Sequence, residues 1–124
     1  MRKVTLLLSM LASVFGGASL GAFSASAQDA ETIADLRCLI IGFKFAGSPT
    51  ESLKQAGLIE TLYYLGRIDA RNPNIDLENQ VANVLAKMTE SDVKAESRRC
   101  GAVLSQRGEA LQQLGKNIIS RGQN

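Results

Sequence analysis

Apolar residues recur every three or four positions along most of the chain after residue 29, and only two prolines, Pro49 and Pro73, interrupt the pattern. This spacing is typical of α-helices, whereas half-buried strands alternate apolar and polar residues. Proline lacks a backbone N–H and disfavours helical dihedrals in the residue before it, so each proline predicts a boundary between helices. The pattern predicts an all-α fold, a small four-helix bundle.

Local signals place the helix boundaries. Ser48 followed by Pro49 predicts an N-cap and a first helical residue, with Glu51 reaching back to complete a capping box. Thr89 followed by acidic residues predicts a second capped start. The resulting predicted helices span residues 30–46, 49–70, 76–88 and 90–119.

The apolar spacing also predicts which side chains face the core. The predicted inward residues are Ile33, Leu36, Ile40 and Phe43 in the first helix, Leu53, Leu58, Ile59, Leu62, Tyr63, Leu65 and Ile68 in the second, and Val93, Cys100, Val103, Leu104, Leu111, Leu114 and Ile118 in the last. Gly57 and Gly66 each predict close approach of another helix or a local bend, because glycine costs about 1 kcal/mol against alanine in a helix.

Glycines recur every seven residues in the last helix, at Gly101, Gly108, Gly115 and Gly122. Leucine or isoleucine follows three positions after each of the first three glycines, and seven-residue spacing keeps all these positions near one face. The stripe predicts that a neighbouring helix approaches closely. The alternative is that the interior glycines weaken the C-terminal half of this helix.

The first 27 residues have the three parts of a secretory signal peptide. Met1-Arg2-Lys3 provides a basic start, residues 4–15 form an apolar run, and Ala25-Ser26-Ala27 supplies the small residues that suit a signal peptidase. We therefore predict cleavage after Ala27, so that Gln28 becomes the first residue of the exported protein.

Cleavage would leave residues 28–124 as a single domain, periplasmic or secreted, with no stable membrane anchor. An uncleaved anchor is the alternative, because residues 4–23 are long enough to span a bilayer. Removal of the signal lowers the number of basic residues from 14 to 12, which equals the 12 acidic residues. A neutral chain does not favour nucleic-acid binding through bulk charge.

Cys38 and Cys100 are the only cysteines, and disulfides persist in exported proteins. An even number predicts one bridge, and closing a loop of about 60 residues stabilises a fold by roughly 4 kcal/mol. A redox pair or a metal site is the alternative, but the cysteines do not form a Cys-x-x-Cys motif. We predict a structural disulfide that joins the first and last helices.

The chain contains no histidine, which excludes Ser-His-Asp and Cys-His catalysis and most zinc sites. The acidic pairs Asp69 with Asp76 and Glu90 with Asp92 lie at predicted helix ends, where carboxylates serve as caps. We therefore predict that the protein is not an enzyme, with no catalytic residues, no metal ligands and no cofactor.

Both tyrosines lie in the second helix, as the adjacent pair Tyr63 and Tyr64. Tyr64, Arg67 and Arg71 follow at spacings of three and four, and tyrosine and arginine are favoured anchors of protein interfaces. These three residues form the predicted partner-binding strip. An ordinary solvated face, with Glu60 beside Tyr64, is the alternative.

Two resemblances add expectations. The Leu-Tyr-Tyr-Leu-Gly-Arg-Ile-Asp stretch at residues 62–69 and Ala-Glu-Ser-Arg-Arg-Cys-Gly at 95–101 resemble uncharacterised small exported proteins of sphingomonad-type alphaproteobacteria. Cys38 in the first helix, a glycine-bearing central helix and the Thr89 helix start that leads to Cys100 resemble the architecture of periplasmic acid-stress chaperones of the HdeA type. The second resemblance implies that acid loosens the fold and exposes apolar helix faces to unfolding proteins.

The expected function is therefore that of an exported protein-binding or chaperone-like helical protein with an unidentified protein partner. The alternative is a structural, adaptor or inhibitor module of the cell envelope that docks a partner through its second helix. Neither composition nor spacing separates these two, and the sequence leaves the oligomeric state open.

Overall fold

The computed structural model describes the backbone of residues 21–123 and the side chains of residues 29–123. Four α-helices follow one another with no strand in this range: α1 (Gly21–Ala46), α2 (Glu51–Arg71), α3 (Leu77–Leu85) and α4 (Glu90–Gly122). The all-α, four-helix prediction is confirmed. Within the same range, no helix combines the length and the hydropathy that a membrane crossing requires.

The predicted signal peptide is not tested by this structure, since residues 1–20 lie outside the described part of the chain. α1 begins at Gly21 and continues through the predicted cleavage point between Ala27 and Gln28. Cleavage there would leave α1 starting close to the predicted helix start at residue 30.

Helix starts follow local side-chain chemistry, with one correction. Thr89 caps α4: its side chain accepts a hydrogen bond from the backbone N–H of Asp92, and the Asp92 carboxylate accepts one from the backbone N–H of Thr89. At α2 the N-cap is Thr50 and not Ser48. The Ser48 hydroxyl instead accepts a hydrogen bond from the Thr50 N–H at 3.2 Å, three residues before the first helical residue, Glu51.

α1 and α2 form an antiparallel hairpin whose backbones almost touch. A Cβ on Gly57 would lie 2.2 Å from the Ala46 nitrogen and 2.7 Å from the Gly42 oxygen. The Thr61 hydroxyl donates to the Gly57 carbonyl at 2.8 Å, beside the same crossing. Gly57 therefore fulfils the predicted close approach. Gly66 does not, since no described atom lies within 4 Å of a Cβ built there.

α3 is shorter than the predicted 76–88 and packs against α1. Its N-cap is Asp76, whose carboxylate accepts a hydrogen bond from the Asn79 N–H at 3.2 Å. The helix ends at Leu85 because the next backbone bonds run from Lys87 to Val84 and from Met88 to Leu85, which close single turns.

The core lies where α1, α2 and the N-terminal half of α4 meet. Its fully buried members are Leu36, Cys38, Leu39, Tyr64, Ile68 and Cys100. This cluster is covered by residues from the loop between α2 and α3, from α3 and from the middle of α4, among them Ile75, Val81, Val103 and Leu104. The disulfide between Cys38 and Cys100 passes through the centre of the cluster and joins the first and last helices, as predicted.

Several predicted core residues lie at the surface instead. They are Ile33 and Phe43 in α1, Leu53, Leu58, Ile59 and Leu62 in α2, and Leu111, Leu114 and Ile118 in α4. In α2 the inward positions are Gly57, Glu60, Tyr64 and Ile68, because the close contact at Gly57 turns that face toward α1.

Candidate functional site

A buried carboxylate holds α1 and α2 together. Asp35 is almost completely buried in α1, and Arg67 of α2 donates to its Oδ2 through Nε at 2.9 Å. Arg71, one turn further along α2, donates to the same oxygen, and its guanidinium also lies 3.8 Å from the Glu31 carboxylate. Burying a charge costs several kcal/mol unless it is paired. The cluster is therefore a satisfied structural contact.

The two tyrosines occupy different environments. Tyr64 is 1% exposed and its hydroxyl donates to the Cys100 carbonyl at 3.3 Å. Tyr63 is half-buried and meets Tyr64 edge to face, with ring centres 5.0 Å apart. The Arg67 guanidinium carbon lies 5.7 Å from the centre of the Tyr63 ring, within the range of a cation–π contact. Burial raises the pKa of Tyr64 to about 12.

These positions correct the predicted partner-binding strip. Tyr64 is enclosed in the core, and Arg67 and Arg71 point at Asp35. The three side chains share the face of α2 that packs on α1, since Tyr64 lies seven residues after Gly57, and Arg67 and Arg71 continue at spacings of three and four. The prediction that the three residues share one face of α2 is confirmed. The prediction that this face is open to a partner is wrong, because the face packs on α1.

Charged side chains also surround the disulfide. Glu96 pairs with Arg37 at 3.2 Å and with Arg99 at 2.6 Å, and Arg99 donates to the Ala34 carbonyl at 2.8 Å. Glu96 and the two cysteine sulfurs lie within 4.8 Å of one another. Because the sulfurs are bonded to each other, they offer no thiolates to a metal ion.

Glu60 is a buried acid that sequence reasoning did not single out. It is 4% exposed on the inner face of α2, and its Oε1 has no hydrogen-bond partner among the described residues. Burial disfavours the charged form and raises the pKa of Glu60 from 4.5 to about 7. Glu60 lies one helical turn before Tyr64, and this spacing is the sequence signal that places its side chain on the same face as buried Tyr64. Two arginines on that face, Arg67 and Arg71, are the signal for a buried acidic partner such as Asp35.

Replacing Glu60 with glutamine is expected to change the pH dependence of stability. The raised pKa means that the folded state binds the Glu60 proton more tightly than the unfolded chain. The contribution of the protonated Glu60 side chain to the free energy of unfolding is fully present below pH 4.5 and is lost as the pH rises through about 7. Glu60→Gln should therefore increase the free energy of unfolding at pH 8 by about 2 kcal/mol and change it little at pH 4.5.

Urea unfolding at these two pH values measures the effect. Glu51→Gln, at an exposed position of the same helix, serves as the control and should change stability by less than about 0.5 kcal/mol. Equal stability of Glu60→Gln and the wild type at pH 8 would contradict the assignment of a buried, ionising carboxyl.

Two open cavities flank the N-terminal part of α1. One of about 450 Å³ lies between Thr32, Leu36, Ile75 and Gln80, and one of about 320 Å³ lies beside Ala34, Arg37 and Glu96. Half-exposed Ile33 separates them and lines both. The larger cavity is also lined by Asp29, so one carboxylate and the Thr32 hydroxyl lie on its wall.

Exposed apolar helix faces are the features most suited to binding. On the outer side of α2, Ile59 is 63% exposed and Leu62 is 70% exposed, next to half-exposed Leu58. On the C-terminal half of α4, Leu111 is 66% exposed and Ile118 is 60% exposed. Contiguous exposed apolar side chains of this kind mark interaction surfaces.

Comparison with protein-family models, with curated proteins and with solved structures found no significant match to the chain. The candidate site therefore depends on geometry alone.

Proposed function

We propose that this protein is an exported, non-enzymatic protein-binding protein of the chaperone-like type, which contacts apolar segments of other exported proteins. The contact surface is the outer face of α2, formed by Leu58, Ile59, Leu62 and Gly66. This replaces the strip of Tyr64, Arg67 and Arg71 with the opposite side of the same helix.

The exposure of Ile59 and Leu62 is the observation that carries the proposal. Both side chains are more than 60% exposed on a helix whose other face is tightly packed. Gly66, one turn beyond Leu62, is also exposed and has open space above it. A partner segment can therefore approach the α2 backbone closely at this point.

The character of the face favours a chaperone-like protein over an adaptor for one folded partner. Between residues 58 and 66 every exposed residue is uncharged, since Glu60 is turned inward. Selective interfaces use charges or buried polar groups to reject wrong partners, and this face has no charge with which to do so. A plain apolar face suits many unfolding clients.

Acid is expected to act on this protein in two opposing ways. Protonation of Glu60 stabilises the fold between pH 7 and 4.5, the direction set by its raised pKa. Hydrogen bonds from the Thr89 backbone and side chain lower the pKa of Asp92, so the α4 cap weakens only at stronger acidity. Below about pH 3 the neutralised carboxylates leave the chain strongly positive, which favours loosening and wider apolar exposure.

The test replaces Ile59 and Leu62 together with serine. The double variant should lose most of the wild type's suppression of aggregation, measured by light scattering with reduced and carboxymethylated lactalbumin as client at pH 7 and at pH 3. Its far-UV circular dichroism and urea midpoint should stay near those of the wild type, because surface substitutions change stability little.

Leu85→Ser is the matched control, since Leu85 is a half-exposed leucine on α3, away from the α2 face. It should suppress client aggregation as the wild type does. A wild-type protein without any effect on the client at either pH, or a double variant with full activity, would contradict the proposed function. Binding to one folded partner only, with no effect on the unfolded client, would favour the adaptor.

A further inference from the structure

The C-terminal half of α4 extends beyond the bundle. The last residues of α4 that pack on the core are Val103 and Leu104. Residues 105–122 continue as helix for about 27 Å at 1.5 Å per residue. Leu111, Leu114, Ile118 and Ile119 are all more than half exposed there. An isolated helical segment of this kind gains most of its stability from an apolar partner.

The exposed face has a regular alternation of small and large residues. Leu111 and Ile118 alternate along it with Gly108, Gly115 and Gly122, and each set repeats every seven residues. No described atom lies within 4 Å of a Cβ built on any of these glycines. Every glycine is thus an open depression next to a projecting aliphatic side chain, and the stripe itself carries no charge.

This face is complementary to itself in one orientation. When two such helices run antiparallel with Leu111 opposite Gly115 of a second copy, Ile118 falls opposite Gly108. Every large side chain then meets a glycine, the large-to-small packing that fills a helix interface without voids. A parallel pair would place glycine on glycine and leucine on leucine, which leaves gaps and forces the helices apart.

The size of the surface suits a dimer. Two helical segments of about 27 Å packed along their length bury on the order of 1,000 Å² in total, which is near the lower bound for a specific interface. Leu114 lies near the two-fold axis in this arrangement and adds an apolar contact with its own copy.

We propose that two copies of this chain associate through the C-terminal halves of α4, packed antiparallel with Leu111 facing Gly115 of the second copy. The interface is isologous, so it closes as a two-fold dimer and does not extend into a filament. This inference does not depend on the proposed function, because the surfaces on α2 and α4 are different.

Sedimentation equilibrium of the exported protein, with its disulfide intact, tests the association. We expect a monomer–dimer equilibrium at micromolar concentration. Gly115→Leu should raise the dimer dissociation constant at least about 100-fold because it fills the depression that Leu111 enters. The same change should not harm the monomer, because leucine favours a helix more than glycine does. Gly66→Leu, at another open glycine, should leave dimerisation unchanged.

Cysteine cross-linking tests the orientation. Leu114→Cys should form an intermolecular disulfide under mild oxidation, since this position meets its own copy near the axis. Gly122→Cys should not, because this residue lies on the same stripe and its two copies are about 27 Å apart in the antiparallel pair. Efficient cross-linking at both positions would indicate a parallel pair and overturn the proposal.

A protein that stays monomeric to millimolar concentration, or a Gly115→Leu dimer as stable as the wild type, would also overturn it. If the wild type is itself monomeric and Gly115→Leu loses client protection, the α4 face binds an external partner and not a second copy, which would overturn the proposal. Because Ile59→Ser with Leu62→Ser should leave dimerisation intact, failure of the dimer is distinguishable from failure of the proposed function.

Discussion

Replacing Cys38 and Cys100 together with serine is expected to lower the free energy of unfolding by about 4 kcal/mol. The bridge closes a loop between positions 62 residues apart and restricts the unfolded chain accordingly. Both cysteines are fully buried, so two hydroxyls would also replace the bonded sulfurs inside the protein, beside the side chains of Glu96 and Arg99. For a domain of this size the loss is comparable with the whole expected stability.

The loss should be concentrated at α4. Apart from the disulfide, α4 is held to the hairpin by Glu96, Arg99, the hydrogen bond from Tyr64 to the Cys100 carbonyl, and the core contacts of Val103 and Leu104. Urea unfolding followed by circular dichroism measures the total effect, and amide hydrogen exchange locates it. Chemical reduction of the wild type should reproduce the loss of the double variant. A change below about 1 kcal/mol, with α4 still protected from exchange, would show that the bridge is dispensable.

Gly57→Ala is expected to destabilise the protein by at least about 3 kcal/mol, or to prevent folding. The added Cβ would lie 2.2 Å from the Ala46 nitrogen and 2.6 Å from the Phe45 carbonyl carbon. These are backbone atoms of α1, so relief requires the two helices to separate. Separation would also lengthen the hydrogen bonds of Arg67 and Arg71 to Asp35 and loosen Tyr64 in the core.

Gly66→Ala is the matched control in the same helix. Its Cβ would enter open space, and alanine favours a helix over glycine, so this variant should gain about 0.5–1 kcal/mol. Thermal unfolding of the two variants should therefore shift in opposite directions from the wild type. Equal effects of the two substitutions would contradict the close crossing of α1 and α2.

Features that depend on neighbouring residues were predicted well from the sequence. Thr89 was identified as the α4 cap because the groups that satisfy its backbone lie within the next turn. Ser48 was assigned wrongly as the α2 cap: its hydroxyl accepts from the Thr50 N–H, and the N-cap position falls on Thr50, whose own side chain makes no capping hydrogen bond. The bridge between Cys38 and Cys100 followed from there being no other cysteine.

The candidate site was predicted less well, for a reason that α2 illustrates. Helical spacing grouped Tyr64, Arg67 and Arg71 on one side and left Ile59 and Leu62 on another. It did not indicate which side α1 would cover. Apolar content suggested that Ile59 and Leu62 face inward, yet the covered side is the one that contains Gly57, since only there can the helix backbones approach.

The sequence by itself determined the helical period, the breaks at Pro49 and Pro73, and the pairing of Cys38 with Cys100. These depend on dihedral preferences, local hydrogen bonds and the number of thiols, all of which act without reference to a distant partner. Only the tertiary structure decided that Gly57 is a contact and Gly66 is open, and that α4 extends beyond the core. Residues with similar neighbours in sequence can therefore differ in burial. The burial of a side chain depends on whether a second helix packs over it, and the spacing of residues along one helix does not determine this.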